Sequence, residues 1–92
     1  MLTLMEHLKR VKILPNGQHI GGTRIVIEED EDLDTFIDRA SNLLWKGKKH
    51  GIRLFFDDGM EVFELKSIIP GDTLYISDGA DWIGILLFRC FR

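Results

Sequence analysis

The sequence predicts a small α+β domain in which one helix packs on a mixed five-stranded sheet. An Asn-Gly pair at residues 16–17 and an Asp-Asp-Gly run at residues 57–59 each lie between apolar stretches, as in hairpin turns that need the positive φ of glycine. One stretch of helical periodicity, residues 33–44, separates the two turns, and one more strand-like run, residues 73–77, follows them. The length of 92 residues suits a single domain.

The first hairpin is predicted from two short strands. Within residues 10–14, Val11 and Ile13 should face the core, while the other three side chains point the opposite way. Pro15 is expected to end this strand, because proline has no N–H to donate to a ladder. Residues 23–27 are rich in β-branched side chains, which favour a second strand.

The helix is predicted over residues 33–44. Asp32 is a natural N-cap, and the acidic run of residues 28–34 suits the positive end of the helix dipole. We therefore interpret the run as a cap and a solvated loop. A calcium site is the alternative, although the EF-hand spacing is absent. The apolar face of the helix consists of Leu33, Phe36, Ile37, Ala40, Leu43 and Leu44.

Three more strands follow the helix. Residues 52–56 and 60–63 flank the second turn and are predicted to be the third and fourth strands. In the fifth strand, residues 73–77, Leu74 should face the core and Tyr75 should point away from it. Each of these strands is short, as is usual in a sheet of this size.

Two hairpins, a helix between them and a closing strand are the plan of a ubiquitin-like β-grasp, with strand order 2-1-5-3-4. The domain is predicted to span residues 10–82, after an N-terminal extension of residues 1–9. Residues 83–92 form a C-terminal tail that is too apolar to remain exposed to water. We expect the tail to cover the sheet or to join two copies of the chain.

The charge and composition exclude several classes of protein. A net charge of -3 and a pI near 5.5 argue against a nucleic-acid partner. No stretch approaches the ~18 apolar residues of a membrane span, so no membrane partner is expected. The single cysteine, Cys90, cannot form an internal disulfide and indicates an intracellular, cytoplasmic protein.

No catalytic pattern is visible in the sequence. The three histidines lie on different predicted elements without metal-ligand spacing, and no phosphate-binding glycine loop is present. None of the serines stands in a nucleophile elbow. We therefore predict that the chain is not an enzyme and that it uses no metal and no cofactor.

The order of these motifs resembles that of a doublecortin domain. Residues 11–17 look like the basic and apolar strand with an Asn-Gly turn that opens such domains, and residues 22–27 look like its partner strand. Residues 52–59 resemble the arginine-bearing strand with its Asp-Gly turn, and residues 65–77 resemble the closing strand. The resemblance covers residues 9–82.

The resemblance implies a β-grasp fold and a non-enzymatic protein-binding function. Many doublecortin domains bind microtubules, using basic residues against acidic tubulin, so the implied location is cytoskeletal. The present chain departs from that pattern in its acidic net charge. The alternative is a ubiquitin-like adaptor domain that mediates protein–protein interaction without microtubule binding.

The candidate binding residues are Lys46, Lys48, Lys49 and His50, which we call the basic pole. They follow the predicted helix, and a β-grasp would hold them at the opposite end from the acidic run. A local basic surface can steer an acidic partner even when the net charge is negative. The alternative is a solvated helix end whose cations suit the negative end of the dipole.

Overall fold

The computed structural model describes residues 9–84 and has an α+β architecture, with one helix packed on a mixed four-stranded sheet. The elements in chain order are β1 (Lys9–Pro15), β2 (Thr23–Ile27), α1 (Leu33–Trp45), β3 (Arg53–Phe56), a 3-10 helix (Leu65–Ser67) and β4 (Thr73–Ser77). The predicted α+β class is confirmed. Residues 1–8 of the predicted extension and residues 85–92 of the predicted tail lie outside the described residues.

The sheet has the order β2-β1-β4-β3. Its two central strands are parallel, with Lys12 opposite Thr73 and Pro15 opposite Ile76. The outer strands β2 and β3 are antiparallel to their neighbours. The central position of β4 explains why four of its five residues are buried, because both of its faces are covered.

The predicted five-stranded sheet is wrong, because the fourth predicted strand, residues 60–63, does not form. The chain does turn back at Gly59, whose φ is 94°, and the Val62 N–H donates to the Leu54 carbonyl at 2.7 Å. Only one bridge, between Phe55 and Glu61, forms there. Val62 is buried, but Met60 is 65% exposed, so this segment has too little apolar contact to extend the ladder.

The first connection is wider than a two-residue hairpin. The pairing of β1 with β2 ends where Ile13 lies opposite Thr23, although Gly17 turns the chain with a φ of 96°. Strand β1 continues to Pro15 because its other edge pairs with β4. Proline is tolerated at this end because no β2 residue beyond Thr23 needs its missing N–H.

Helix α1 begins and ends close to the predicted residues. Phe36, Ile37 and Ala40 are buried against the sheet, as the apolar spacing predicted. Leu43, which was assigned to the same face, is 46% exposed, because it lies at the border of the buried stripe. The helix runs one residue further than predicted and ends at Trp45.

The buried residues form two clusters on opposite faces of the sheet. The larger cluster fills the space between the sheet and α1 and includes Phe36, Leu54 and Ile76, all fully buried. The smaller cluster lies on the outer face, away from α1, and consists of Leu14, Phe55, Tyr75 and the partly buried Trp82. Leu14 and Tyr75 were predicted to point away from the core, and they do so into this second cluster.

Candidate functional site

The basic pole lies in the exposed turn that follows α1, and all four of its residues are exposed. Lys46 adopts a left-handed conformation with a φ of 53°, and its N–H donates to the Asn42 carbonyl at 2.8 Å. This residue ends the helix, and Lys48, Lys49 and His50 follow in the turn. Cations at this position suit the negative end of the helix dipole.

One residue of the basic pole contacts the end of β4. Lys49 Nζ lies 3.8 Å from the Oδ2 atom of Asp78, the residue that follows β4. It also lies 5.6 Å from the ring centroid of Trp45. The side chains of Lys49 and Asp78 are 56% and 48% exposed, so this ion pair contributes little to stability. This contact places Lys49 of the basic pole beside the C-terminal end of β4.

The acidic run of residues 28–34, which we call the acidic loop, lies at the other end of α1. Asp32 caps the helix as predicted, because its Oδ1 atom accepts a hydrogen bond of 2.8 Å from the Thr35 N–H. This hydrogen bond lowers the pKa of Asp32 below its ordinary value. The acidic loop therefore has a defined structural role at its helix end.

A second contact holds the acidic loop from within. Arg39 donates to both carboxylate oxygens of Glu31, at 2.8 and 2.7 Å, and to the Val26 carbonyl at 2.6 Å. Burial alone would raise the pKa of Glu31, but the hydrogen bonds from Arg39 and from the Glu28 N–H outweigh it, so the pKa of Glu31 is lowered. A bidentate pair of this kind fixes the geometry of the loop.

Aromatic rings cover one half of the outer sheet face. The ring centroid of Trp82 lies 4.8 Å from that of Tyr75, 5.9 Å from that of Phe55 and 6.0 Å from that of His19. Burial, with a smaller contribution from Asp57, raises the pKa of the Tyr75 hydroxyl. We call these rings the aromatic cluster. Sequence analysis missed it because its members come from separate strands and loops.

Hydrogen bonds from the loop after β1 hold residues 81–83, which follow β4, against the aromatic cluster. The Asn16 side chain donates to the Asp81 carbonyl at 2.8 Å and accepts from the Ile83 N–H at 2.9 Å. His19 Nε2 lies 3.2 Å from the Ile83 carbonyl oxygen. A Cβ atom on Gly59 would come within 2.9 Å of the Trp82 ring, so glycine serves both the turn and this packing.

Arg53 joins three parts of the chain at the edge of the aromatic cluster. It donates to both carboxylate oxygens of Glu61, at 3.2 and 2.8 Å, and to Asp81 at 2.9 Å. Its guanidinium carbon lies 4.9 Å from the ring centroid of Phe55. The hydrogen bonds from Arg53 lower the pKa of Glu61 and those carboxylates raise the pKa of Arg53. Arg53 therefore has a structural role.

The other half of the outer face carries a basic surface that sequence analysis did not identify. Arg10 and Lys12 alternate on β1, and Lys12 lies directly opposite Arg24 of β2. All three are exposed around a shallow depression of about 250 Å³ that also includes Thr73. We call Arg10, Lys12 and Arg24 the cationic face. The alternation on β1 was visible in the sequence, but the register with Arg24 was not.

Among the described residues, two kinds of group bear on metal binding or nucleophilic chemistry: acidic, histidine or cysteine clusters, and buried serine hydroxyls. Between residues 9 and 84, no three His, Cys, Asp or Glu side chains are grouped so that they could hold a metal ion. The buried Ser41 hydroxyl donates to the Ile37 carbonyl and accepts from the Gly51 N–H, and the Ser77 hydroxyl donates to the Ala80 carbonyl. Over the same residues, no helix is long and apolar enough to cross a membrane.

Comparison with models of known protein families gives no match, and comparison with curated protein sequences gives none either.

Proposed function

We propose that residues 10–82 form a ubiquitin-like β-grasp domain, related to doublecortin domains, that binds an acidic protein surface through its basic pole. The partner proposed is tubulin in the microtubule, which implies a cytoplasmic and cytoskeletal location. The strand order β2-β1-β4-β3 supports the fold, because it equals the predicted order 2-1-5-3-4 with the fourth strand reduced to one bridge.

The observation that carries the binding proposal is the exposure of the basic pole. Among residues 9–84, Lys49 is the one residue of the basic pole whose charged group lies within 4 Å of a carboxylate. The distance from Lys49 Nζ to Asp78 Oδ2 is long, at 3.8 Å. Lys46 and Lys48 are exposed. Their charges are therefore available to a partner that supplies carboxylates.

The separation of charge along α1 supports the same proposal. The 13 residues of α1 separate the basic pole from the acidic loop by about 20 Å, since a helix rises ~1.5 Å per residue. At physiological ionic strength this exceeds the Debye length of about 8 Å. An acidic surface that approaches the basic pole is therefore largely screened from the acidic loop.

The test is cosedimentation with microtubules. Lys48→Glu should weaken binding, and the matched control Lys66→Glu, which changes an 84% exposed lysine elsewhere by the same charge, should not. Reversal of Lys46, Lys48 and Lys49 together should abolish binding while circular dichroism still shows a folded chain. The thermal midpoint should fall modestly, because negative charges then lie at the negative end of the helix dipole and beside Asp78. Binding should also weaken as salt rises from about 0.05 to about 0.5 M. Equal binding by the wild type and the triple variant would refute the proposal.

A second candidate function is that of a ubiquitin-like adaptor without microtubule binding. Met60 and Phe63, which are 65% and 74% exposed, place large apolar side chains on the segment beside β3. Such residues favour a protein contact made by apolar surface. This contact would be nearly indifferent to salt, so a complex that survives high salt and is lost in Phe63→Ser would support the adaptor.

A further inference from the structure

The cationic face places three exposed positive charges close together on neighbouring strands. Lys12 and Arg24 are cross-strand neighbours, and Arg10 lies one alternate position away on the same face. Like charges placed directly opposite each other on neighbouring strands destabilise a sheet. No carboxylate between residues 9 and 84 forms an ion pair with any of the three.

Two other arginines, Arg39 and Arg53, do form ion pairs with carboxylates. Arg39 is paired with Glu31, and Arg53 is paired with Glu61 and Asp81, each by short hydrogen bonds. The chain has 15 acidic residues against 12 basic ones, so carboxylates are not scarce. Within residues 9–84, the cationic face therefore has exposed charges that are available to the carboxylates of another molecule.

The acidic loop has the complementary charge and a fixed shape. Six of its seven residues are acidic. Asp32 and Glu31 are engaged within the molecule, through the helix cap and through Arg39, and they hold the loop in place. Glu28, Asp30 and Asp34 are exposed around this frame. A loop held in this way loses little conformational entropy when it binds.

We propose that the cationic face of one copy of this chain binds the acidic loop of a second copy, in a head-to-tail arrangement. Three exposed cations then meet three exposed carboxylates. The two surfaces are different, so the contact is heterologous and repeats from copy to copy instead of closing as a symmetric dimer. This proposal is independent of the basic pole and of the microtubule partner.

The test uses two full-length variants in analytical ultracentrifugation. The face variant, Arg10→Gln/Lys12→Gln/Arg24→Gln, keeps the acidic loop. The loop variant, Glu28→Gln/Asp30→Asn/Asp34→Asn, keeps the cationic face. The wild type should form oligomers that grow with protein concentration and dissociate as salt rises from about 0.05 to about 0.5 M. Each variant alone should be a monomer.

The equimolar mixture of the two variants gives the decisive result. One intact loop then meets one intact face, so the mixture should form a dimer of twice the monomer mass and nothing larger. The control is Lys46→Gln/Lys48→Gln/Lys49→Gln, which removes the same charge as the face variant from the basic pole and should assemble like the wild type. Circular dichroism confirms that each variant is folded.

Three results would overturn the proposal. A mixture that stays monomeric would exclude the head-to-tail contact. A face variant that assembles as strongly as the wild type would place self-association elsewhere, for example in the predicted tail. A monomeric wild type whose cationic face binds a 12-residue glutamate peptide would assign that face to a different acidic partner. In all three cases the microtubule result with the basic pole is unaffected.

Discussion

The two faces of the sheet are closed in different ways. On the inner face, one continuous helix covers a cluster of twelve buried residues, and each strand contributes to it. On the outer face, three buried residues and Trp82 form a small cluster that a few residues after β4 cover, and the rest of the face carries exposed cations. The inner face therefore provides most of the buried apolar contact, and the outer face leaves three cations exposed beside a smaller cluster.

The largest effect is expected on the inner face. Phe36 is fully buried between α1 and the sheet, so Phe36→Ala should lower the free energy of unfolding by about 3–5 kcal/mol through lost burial and a cavity. Leu43→Ala, on the same helix at 46% exposure, is the control and should cost less than about 1 kcal/mol. Denaturant unfolding followed by circular dichroism measures both, and similar losses for the two variants would contradict the assigned helix face.

An intermediate effect is expected at the outer aromatic cluster. Trp82→Ala removes the ring that joins Tyr75, Phe55 and His19, and should cost about 2 kcal/mol, because the ring is only partly buried. The control Ile20→Ala changes an 85% exposed residue of the nearby first loop and should cost less than about 0.5 kcal/mol. A loss for Trp82→Ala as small as that of the control would mean that the segment after β4 does not stabilise the domain.

The same difference explains how much the sequence could predict. The inner face depends on local spacing within single elements, such as Phe36, Ile37 and Ala40 on one helix, and spacing is visible in a sequence. The outer cluster depends on which strands become neighbours, since Leu14 and Tyr75 meet only through the parallel pairing of β1 with β4. Alternation alone gives the direction of such a side chain and not what covers it.

The candidate binding residues show the same limit. The position of the basic pole could be predicted because its four residues all lie within residues 46–50 and follow a helix that periodicity had already located. The cationic face could not, because Lys12 and Arg24 become neighbours only through a register set across a connection of nine residues, 14–22. The fourth strand, residues 60–63, was predicted from composition, whereas in the structure Met60 and Phe63 of this segment are 65% and 74% exposed and no strand forms.

The smallest effect, and the only stabilising one, is expected on the cationic face. Arg24→Gln relieves the repulsion between two like charges that lie directly opposite each other, so it should raise stability by a few tenths of a kcal/mol. Lys12→Gln should do the same, and the double variant should gain less than the sum of the two single gains, because either change alone removes the repulsion.

The measurement is denaturant unfolding at low salt and at a protein concentration where the wild type is monomeric, with Arg53→Gln as the contrast. Arg53 is hydrogen-bonded to Glu61 and Asp81, so its loss should destabilise. If Arg24→Gln destabilises as Arg53→Gln does, the face is held by contacts within the chain, and the case for an outside partner fails. If the gain disappears at about 0.5 M salt, its electrostatic origin is established.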